Sequence, residues 1–382
     1  MRALLRRELC ALWQSPWQLA LVSWLPILSM LALWWLFSAA LPRQLPVAWV
    51  DLDNSSISRE LGRHVAASPV ASPESFTHLE DAIAAMNRAE VYALVVVPVG
   101  FSRELMTGGD PTLDVRYNGQ FLLVGKLLAA NLQLAIADAM KPLAYTKQLA
   151  GGASPHQARV NMAPIETQTT ALFNRNNNYV GFLVPPVLIA LWQLIAMLVF
   201  ANALNRELGE EAETPLRARL AAKFVFYAPL LLAQGLFIHA LLFGFLALPL
   251  AGSPLWLVPA MLATLLAVFV MVALIFLIMQ EAARVVSFCT ALFAPAFAFM
   301  GVTFPVHDMP QAAQYWRLLM PSSHYIDSHI ALVSYGVSGT ELLLKLGSFA
   351  PFLLLLVPIY ALAGKGLRVQ EVADGANEEP AL

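Results

Sequence analysis

From Phe224 to Gln280 the chain runs fifty-seven residues without an Asp, Glu, Lys or Arg. A helix crossing hydrocarbon needs about 20 residues, so this tract must hold two membrane spans. Its break falls at "LPLAGSPLW" (248–256), where Pro249, Gly252 and Pro254 mark a short turn. Four further tracts without those charges lie at 9–42, 176–205, 285–307 and 346–364. Six spans result, at about 17–41, 178–204, 224–248, 254–279, 286–304 and 344–364. The hydrophobic fraction of 59% fits this, being above the ~45–50% of an ordinary soluble domain. A net charge of −2 gives no basic surface for nucleic acid. The expected fold class is therefore a polytopic α-helical membrane protein.

Orientation follows from Lys and Arg in short connections. With the N-terminus inside, the cytosolic pieces hold Arg2, Arg6, Arg7, Arg206, Arg217, Arg219, Lys223, Arg284, Lys365 and Arg368. The turn at 249–253 has none, and 305–345 has only Arg317 and Lys345. Both termini, including the tail 365–382, are expected in the cytosol. "SAA" at 38–40 looks like a signal-peptidase site, but the apolar tract before it is longer than a signal-peptide core.

The long segment 42–175, between spans one and two, reads as a water-soluble α/β insert on the outer side. "PVAWVDLD" (46–53), "VYALVVVP" (91–98) and "TLDVRYNG" (112–119) read as strands. Helices are expected at 55–67 and 78–89, with Asn54 and Thr77 as N-caps, and over 121–149. Cys10 and Cys289 both fall outside the insert, which therefore has no disulfide framework.

Little here reads as catalysis. "GQFLLVGK" (119–126) misses the phosphate-binding loop by one residue of spacing and by Leu127 after the Lys. "DLDNSS" (51–56) lacks the Gly and Glu of a calcium loop. "SSHYIDSH" (322–329) offers Ser, His324 and Asp327 together, but a triad is recognised by geometry, not adjacency. A short polar helix at the outer membrane surface is the expected reading. His239 lies inside the third span, where an ionisable residue is a functional candidate or a neutral link between helices. No catalytic residue, metal site or cofactor is assigned to the chain.

Two cytosolic features stand out. Residues 1–15 place Leu5, Leu9, Leu12 and Trp13 at helical spacing, opposite Arg2, Arg6, Arg7, Glu8 and Gln14. This is expected to be an amphipathic elbow helix, with Arg6, Arg7 and Trp13 at the membrane interface. Between spans two and three, "NRELGEEAETPLRARL" (205–220) is a charged hairpin between two oily tracts.

Four blocks in order resemble the ABC-2 membrane-protein family, the transmembrane subunits of a class of ATP-binding-cassette exporters. They are "VAWVDLDNSSISREL" (47–61), "ALVVVPVGFSRELMTG" (93–108), "LFNRNNNYVGFLVPPVL" (172–188) and "FPVHDMPQAAQYWRLLMPSSHYID" (304–327). The resemblance is to drug-export permeases with a large periplasmic domain, in the bacterial inner membrane. It implies domains at 1–15, 16–41, 42–175 (periplasmic) and 176–364. The loop 205–221 would be the coupling helix docking a cytosolic ATPase subunit, which binds ATP and Mg in this chain's stead. Glu207, Glu210, Glu211, Glu213, Thr214, Pro215 and Arg217 would carry that coupling. The family's usual Gly-Thr ahead of Thr-Pro is Gly209-Glu210 here. The external segment 305–343 would dip back as a re-entrant hairpin, with Met309, Pro310, Trp316, Pro321 and His324 as an outer gate.

Further partners implied are a second copy or a paralogous permease, membrane lipid, a periplasmic adaptor and an outer-membrane channel. The implied function is export of an amphipathic drug, lipid or lipid-linked molecule. A second reading is mechanotransmission to the periplasmic adaptor without passage of substrate. A third is a membrane-bound hydrolase using His324 and Asp327.

Overall fold

A computed structural model describes residues 1–37, 43–109, 111–162, 179–208, 214–337, 339–365 and 367. The chain divides into two compact units, Met1–Ala40 with Ala171–Leu382, and Leu41–Thr170.

The larger unit begins with α1 (Arg2–Gln14), α2 (Pro16–Val22) and α3 (Trp24–Phe37). Ser15 starts α2 by accepting from Gln18 N at 3.4 Å, with Pro16 at the first helical position, where its missing N–H costs nothing. The tract expected as one span at 17–41 holds, among its described residues, two helices bent by 49°. Pro26 explains the break, because its ring displaces the carbonyl four residues earlier, at Val22. α2 is pinned to its neighbours: Gln18 Nε2 donates to Val199 O at 3.0 Å, and Gln234 Nε2 donates to Leu21 O at 3.1 Å.

The smaller unit is a four-stranded sheet flanked by helices. In chain order it holds β1 (Leu45–Asp51), α4 (Ser56–Ala66), β2 (Ala71–Phe76), α5 (Leu79–Asn87), β3 (Ala93–Val97), α6 (Phe101–Thr107), β4 (Asp114–Tyr117), α7 (Leu122–Ala150) and α8 (Pro155–Met162). The strand order is β2-β1-β3-β4, with β1 parallel to both neighbours and β4 antiparallel to β3. Strand side chains alternate between faces. Val47, Trp49, Val95 and Val97 pack with Leu61, Val65, Leu128 and Leu132 on one side, while Ala48, Val50, Leu94 and Val96 meet Ala82 and Ala85 on the other.

Three local expectations in this unit fail, the first being the cap of α5, which is His78 in place of Thr77. β2 was not anticipated, because "ASPESF" has no apolar alternation; it is an edge strand, where Pro73 removes no ladder bond the sheet needs. The cap of α4 is Ser55, in a reciprocal box with Ser58, while Asn54 takes a left-handed turn at φ 52°.

The larger unit continues with α9 (Tyr179–Asn205) and α10 (Leu216–His239), the latter extended by a π turn through Phe245. Next come α11 (Leu257–Met279), α12 (Ala282–Phe293) and α13 (Ala296–Phe299). Then follow α14 (Gln311–Leu318), α15 (Pro321–Val333), α16 (Gly339–Lys345), α17 (Ala350–Leu353) and α18 (Leu356–Gly364). Among the described residues five helical stretches are long and apolar enough to cross a membrane, or six with the bent α2–α3 pair. The most buried are α9 and the stretch ending in α11, at 67% and 72% of their central windows, so these two form the axis of the unit.

The last crossing stretch runs from Gly339 to Gly364, five residues earlier than the 344–364 expected. It is broken into α16, a 3-10 turn, α17 and α18, with Pro351 and Pro358 each disrupting the turn before it. The 322–329 segment is not a surface helix. In α15 Ser322, Ser323, His324, Tyr325, Ser328 and His329 are all buried against the apolar core. Ser322 N donates to Gln193 Oε1 of α9 at 2.6 Å, which gives this polar face a partner inside the bundle.

Candidate functional site

The feature that combines most charge with least exposure lies where α1 meets the ends of α9 and α10. Glu8 of α1 is 2% exposed, Glu207 just past α9 is 0%, and Lys223 of α10 is 0%. Lys223 Nζ lies 2.7 Å from Glu8 Oε1 and 2.7 Å from Glu207 Oε1. Arg206 donates to Glu8 Oε2 at 2.6 Å and to the Tyr227 hydroxyl at 2.9 Å. Arg7 and Arg219 complete the cluster by pairing with the two oxygens of Glu207. Two carboxylates thus hold four cations.

Such a cluster is stable only because each charge is paired. Desolvating a carboxylate costs several kcal/mol, which attraction repays when the geometry is close and the lone pairs are filled. Burial alone would raise the Glu8 carboxyl pKa, but Lys223 and Arg206 outweigh it and hold Glu8 below the usual carboxylate range. The mechanical result is a three-way joint. α1, the end of α9 and the start of α10 cannot separate without exposing unpaired charge.

This joint corrects two expectations. Glu207 was placed on the protruding coupling surface, whereas it is fully buried inside the chain's own ion cluster. On α1, Glu8 was placed on the polar outer face with Arg2 and Arg6. It is buried one turn from Leu12, while Leu9 and Trp13 are exposed, Trp13 at 70%. The demand of Glu8 for Lys223 and Arg206 overrides the apolar stripe. Arg6 is exposed and Arg7 half-buried.

Of the other coupling residues, Thr214 and Pro215 are exposed at the start of α10, with Pro215 in the N-cap position. Arg217 is exposed and also contacts α18. Its guanidinium stacks 3.5 Å over the Tyr360 ring, and Nε donates to Tyr360 O at 3.0 Å, tying α10 to α18. Glu210, Glu211 and Glu213 lie outside the described residues.

The expected outer-gate residues lie on or just before α14 and α15. Met309 is buried, Pro310 is the exposed N-cap of α14, and half-buried Trp316 faces Phe299 with ring centroids 6.2 Å apart. Pro321 starts α15 and is buried. Arg317 Nη2 donates to both oxygens of Asp327, at 2.6 and 2.7 Å, locking α14 to α15. His324 Nε2 bonds Leu318 O at 2.9 Å, and its ring sits 5.4 Å from Phe349 and 5.5 Å from Phe352. A hydrolytic relay needs a Ser–His–Asp hydrogen-bonded line. Here Asp327 is turned to Arg317, and among the described residues no serine hydroxyl bonds the His324 ring.

The residues that sequence reasoning missed are Glu8, Arg206, Lys223, Tyr227, Arg317 and Asp327 as partners. One signal was available: Lys223 stands against the longest charge-free tract, a place where a cation must find a carboxylate or the membrane edge.

Three comparisons bear on what this arrangement belongs to. A family model described as "ABC-2 family transporter protein" matches residues 16–362. No curated protein matches the chain, and no solved structure does.

Proposed function

The chain belongs to the ABC-2 family of transporter proteins, and on that premise we propose that it is the permease subunit of an ATP-driven exporter. It moves an amphipathic drug, lipid or lipid-linked molecule out of the cytoplasm or inner leaflet. ATP and Mg are handled by a separate cytosolic ATPase subunit, and the permease works as a dimer with a second copy or a paralogue. Both termini face the cytosol of a bacterial inner membrane. The sheet unit, 42–175, lies in the periplasm, where it meets an adaptor leading to an outer-membrane channel.

The observation that carries this reading is the buried joint of Glu8, Glu207 and Lys223. An oily subunit can receive force from a water-soluble motor only through a polar element that protrudes. The charged connection 205–221 is the candidate for that element, and the joint fastens Glu207 and Lys223, near its two ends, to α1. A push on the connection is therefore delivered to α1, α9 and α10 together, and α2 follows through Gln18 and Leu21. Glu207 acts inside the joint, leaving Thr214, Pro215 and the acidic run Glu210, Glu211 and Glu213 to meet the ATPase.

The test is transport by the purified permease reconstituted with its ATPase in vesicles. Substrate accumulation that requires ATP supports export. ATP-dependent work on a periplasmic adaptor without accumulation means mechanotransmission instead.

A further inference from the structure

A small cavity lies inside the larger unit between α9, α10, α11 and α15. Its wall is apolar, including Leu188, Trp192, Leu242 and Met261, and its polar members are His239, Tyr325 and His329. Its volume is about 10 Å³, about the space one water occupies by that measure. Gly235 makes room for this packing. A Cβ there would meet Met261 Cε at 2.3 Å and Trp192 at 3.1 Å, so a larger residue would have to push the Met261 methyl aside.

Hydrogen bonding in the cavity has a fixed direction. His239 Nδ1 lies 2.7 Å from Gly235 O, which can only accept, so in the neutral ring Nδ1 carries the proton. His239 Nε2 is then bare and accepts the Tyr325 hydroxyl at 3.0 Å. Tyr325 has spent its one proton and offers only lone pairs. The His329 ring lies 5.5 Å from that of His239, centre to centre, and His329 is 4% exposed. Its Nε2 has no hydrogen-bond partner among the described residues. A buried polar atom left that way bears its full desolvation cost.

The chemistry of an occupant follows. No charged side chain lines the cavity. Asp327, two residues before His329, lies on the far side of α15 and is held by Arg317. A charged ligand would lose its hydration with nothing in exchange. A carbonyl could serve His329 only when Nε2 is protonated, and it could not donate to Tyr325. A hydroxyl both donates and accepts, so it serves either tautomer of His329, and the Tyr325 oxygen as well when Nε2 carries the proton.

We propose that this cavity binds one hydroxyl-sized group, hydrogen-bonded to His329 Nε2, supplied by water or by the hydroxyl of an apolar molecule. The cavity has room for the hydroxyl alone, so the chain of such a molecule would lie outside it. Its relevance as a substrate subsite rests on the exporter reading; binding itself does not, and the test below uses no ATPase.

The experiment takes the full chain in lipid nanodiscs, as wild type, His329→Gln and His329→Leu. A structure at a resolution that shows waters should place density within hydrogen-bond distance of His329 Nε2, retained in His329→Gln and lost in His329→Leu. Melting is then followed with 1-dodecanol, with dodecane as control. A rise of about 2–4 °C with the alcohol alone, in wild type and His329→Gln but not His329→Leu, identifies an amphiphile hydroxyl as occupant. Density without any alcohol effect identifies water. An empty cavity in wild type, with alcohol and alkane acting alike in all three proteins, overturns the proposal. Should His329→Leu fail to fold, Met261→Phe fills the cavity from its apolar wall and is expected to expel the same density.

Discussion

Lys223 and Glu8, 215 positions apart in the chain, meet at 2.7 Å with neither side chain more than 3% exposed. One ammonium therefore joins the N-terminal helix to α10 and, through Glu207, to the end of α9. Replacing Lys223 with Met leaves two buried carboxylates short of a cation, a change that costs about 3–5 kcal/mol when a buried pair is broken. The expected result is a lowered melting temperature in nanodiscs and α1 accessible to protease. Glu8→Gln with Lys223→Met should be less than additive, with a coupling of about 0.5–3 kcal/mol. Strict additivity of the two would mean that the residues do not interact.

Acid should loosen the same joint, with a definite sign. The Glu8 carboxyl is held below its ordinary value of 4.5 in the folded state. Its stabilisation is therefore complete above that value and disappears as pH falls through the lower, folded one. The difference in melting temperature between wild type and Glu8→Gln should stay constant from pH 7 to about 5 and shrink only at more acid pH. A difference already fading between pH 7 and 5 would mean that burial dominates instead.

Charge reversal of Glu210, Glu211 and Glu213 to Lys should uncouple the subunit from its motor. Insertion and melting temperature should be unchanged, because among the described residues Glu8, Glu207, Lys223 and Arg206 close the joint. ATPase stimulation and transport in the reconstituted pair should fall together. Unaltered transport would remove the acidic run from the docking surface.

At the other end, Arg317 and Asp327 hold α14 against α15. A cysteine at Trp316 or Ile330, both half-buried, should react slowly with a polar thiol reagent from outside. Adding Asp327→Asn removes the charge from the lock and should raise the rate at Trp316 several-fold. ATP trapping of the partner should do the same if this hairpin is a gate. Fast labelling in every state would mean an exposed loop.

Topology has its own test. A reporter that works only outside the cytosol should be active when fused after Gly109 and silent after Arg219. Activity after Arg219 would reverse the placement of the coupling connection.

The apolar architecture was legible in the sequence because charge-free tracts of 20 residues or more have few other uses. The break at 248–256 was legible for a similar reason, since Pro249, Gly252 and Pro254 act locally. Partners distant in sequence were not legible. Nothing in "RRELCALW" says that Glu8 will turn inward, because its reason is Lys223 and Arg206 some two hundred residues later. The pattern around it pointed the other way, to a continuous polar face. α15 misled in the same manner: its serines and histidines looked wet, and they are buried because Gln193, His239 and Leu318 meet them. β2 escaped because an edge strand needs so little of the alternation that betrays inner ones.

The kink at Pro26 gives the α2–α3 pair the properties of a lever. Its short arm, α2, is fixed by Gln18 and Leu21 to α9 and α10, and so moves with the joint. Its long arm, α3, has 14 residues, or about 21 Å of helix, and presents Trp24, Leu28, Leu31 and Trp35 outward. A rotation of about 10° at the fulcrum would sweep the far end of that arm through about 4 Å, from the helical rise alone. Small displacements at one membrane face would thereby arrive enlarged at the other.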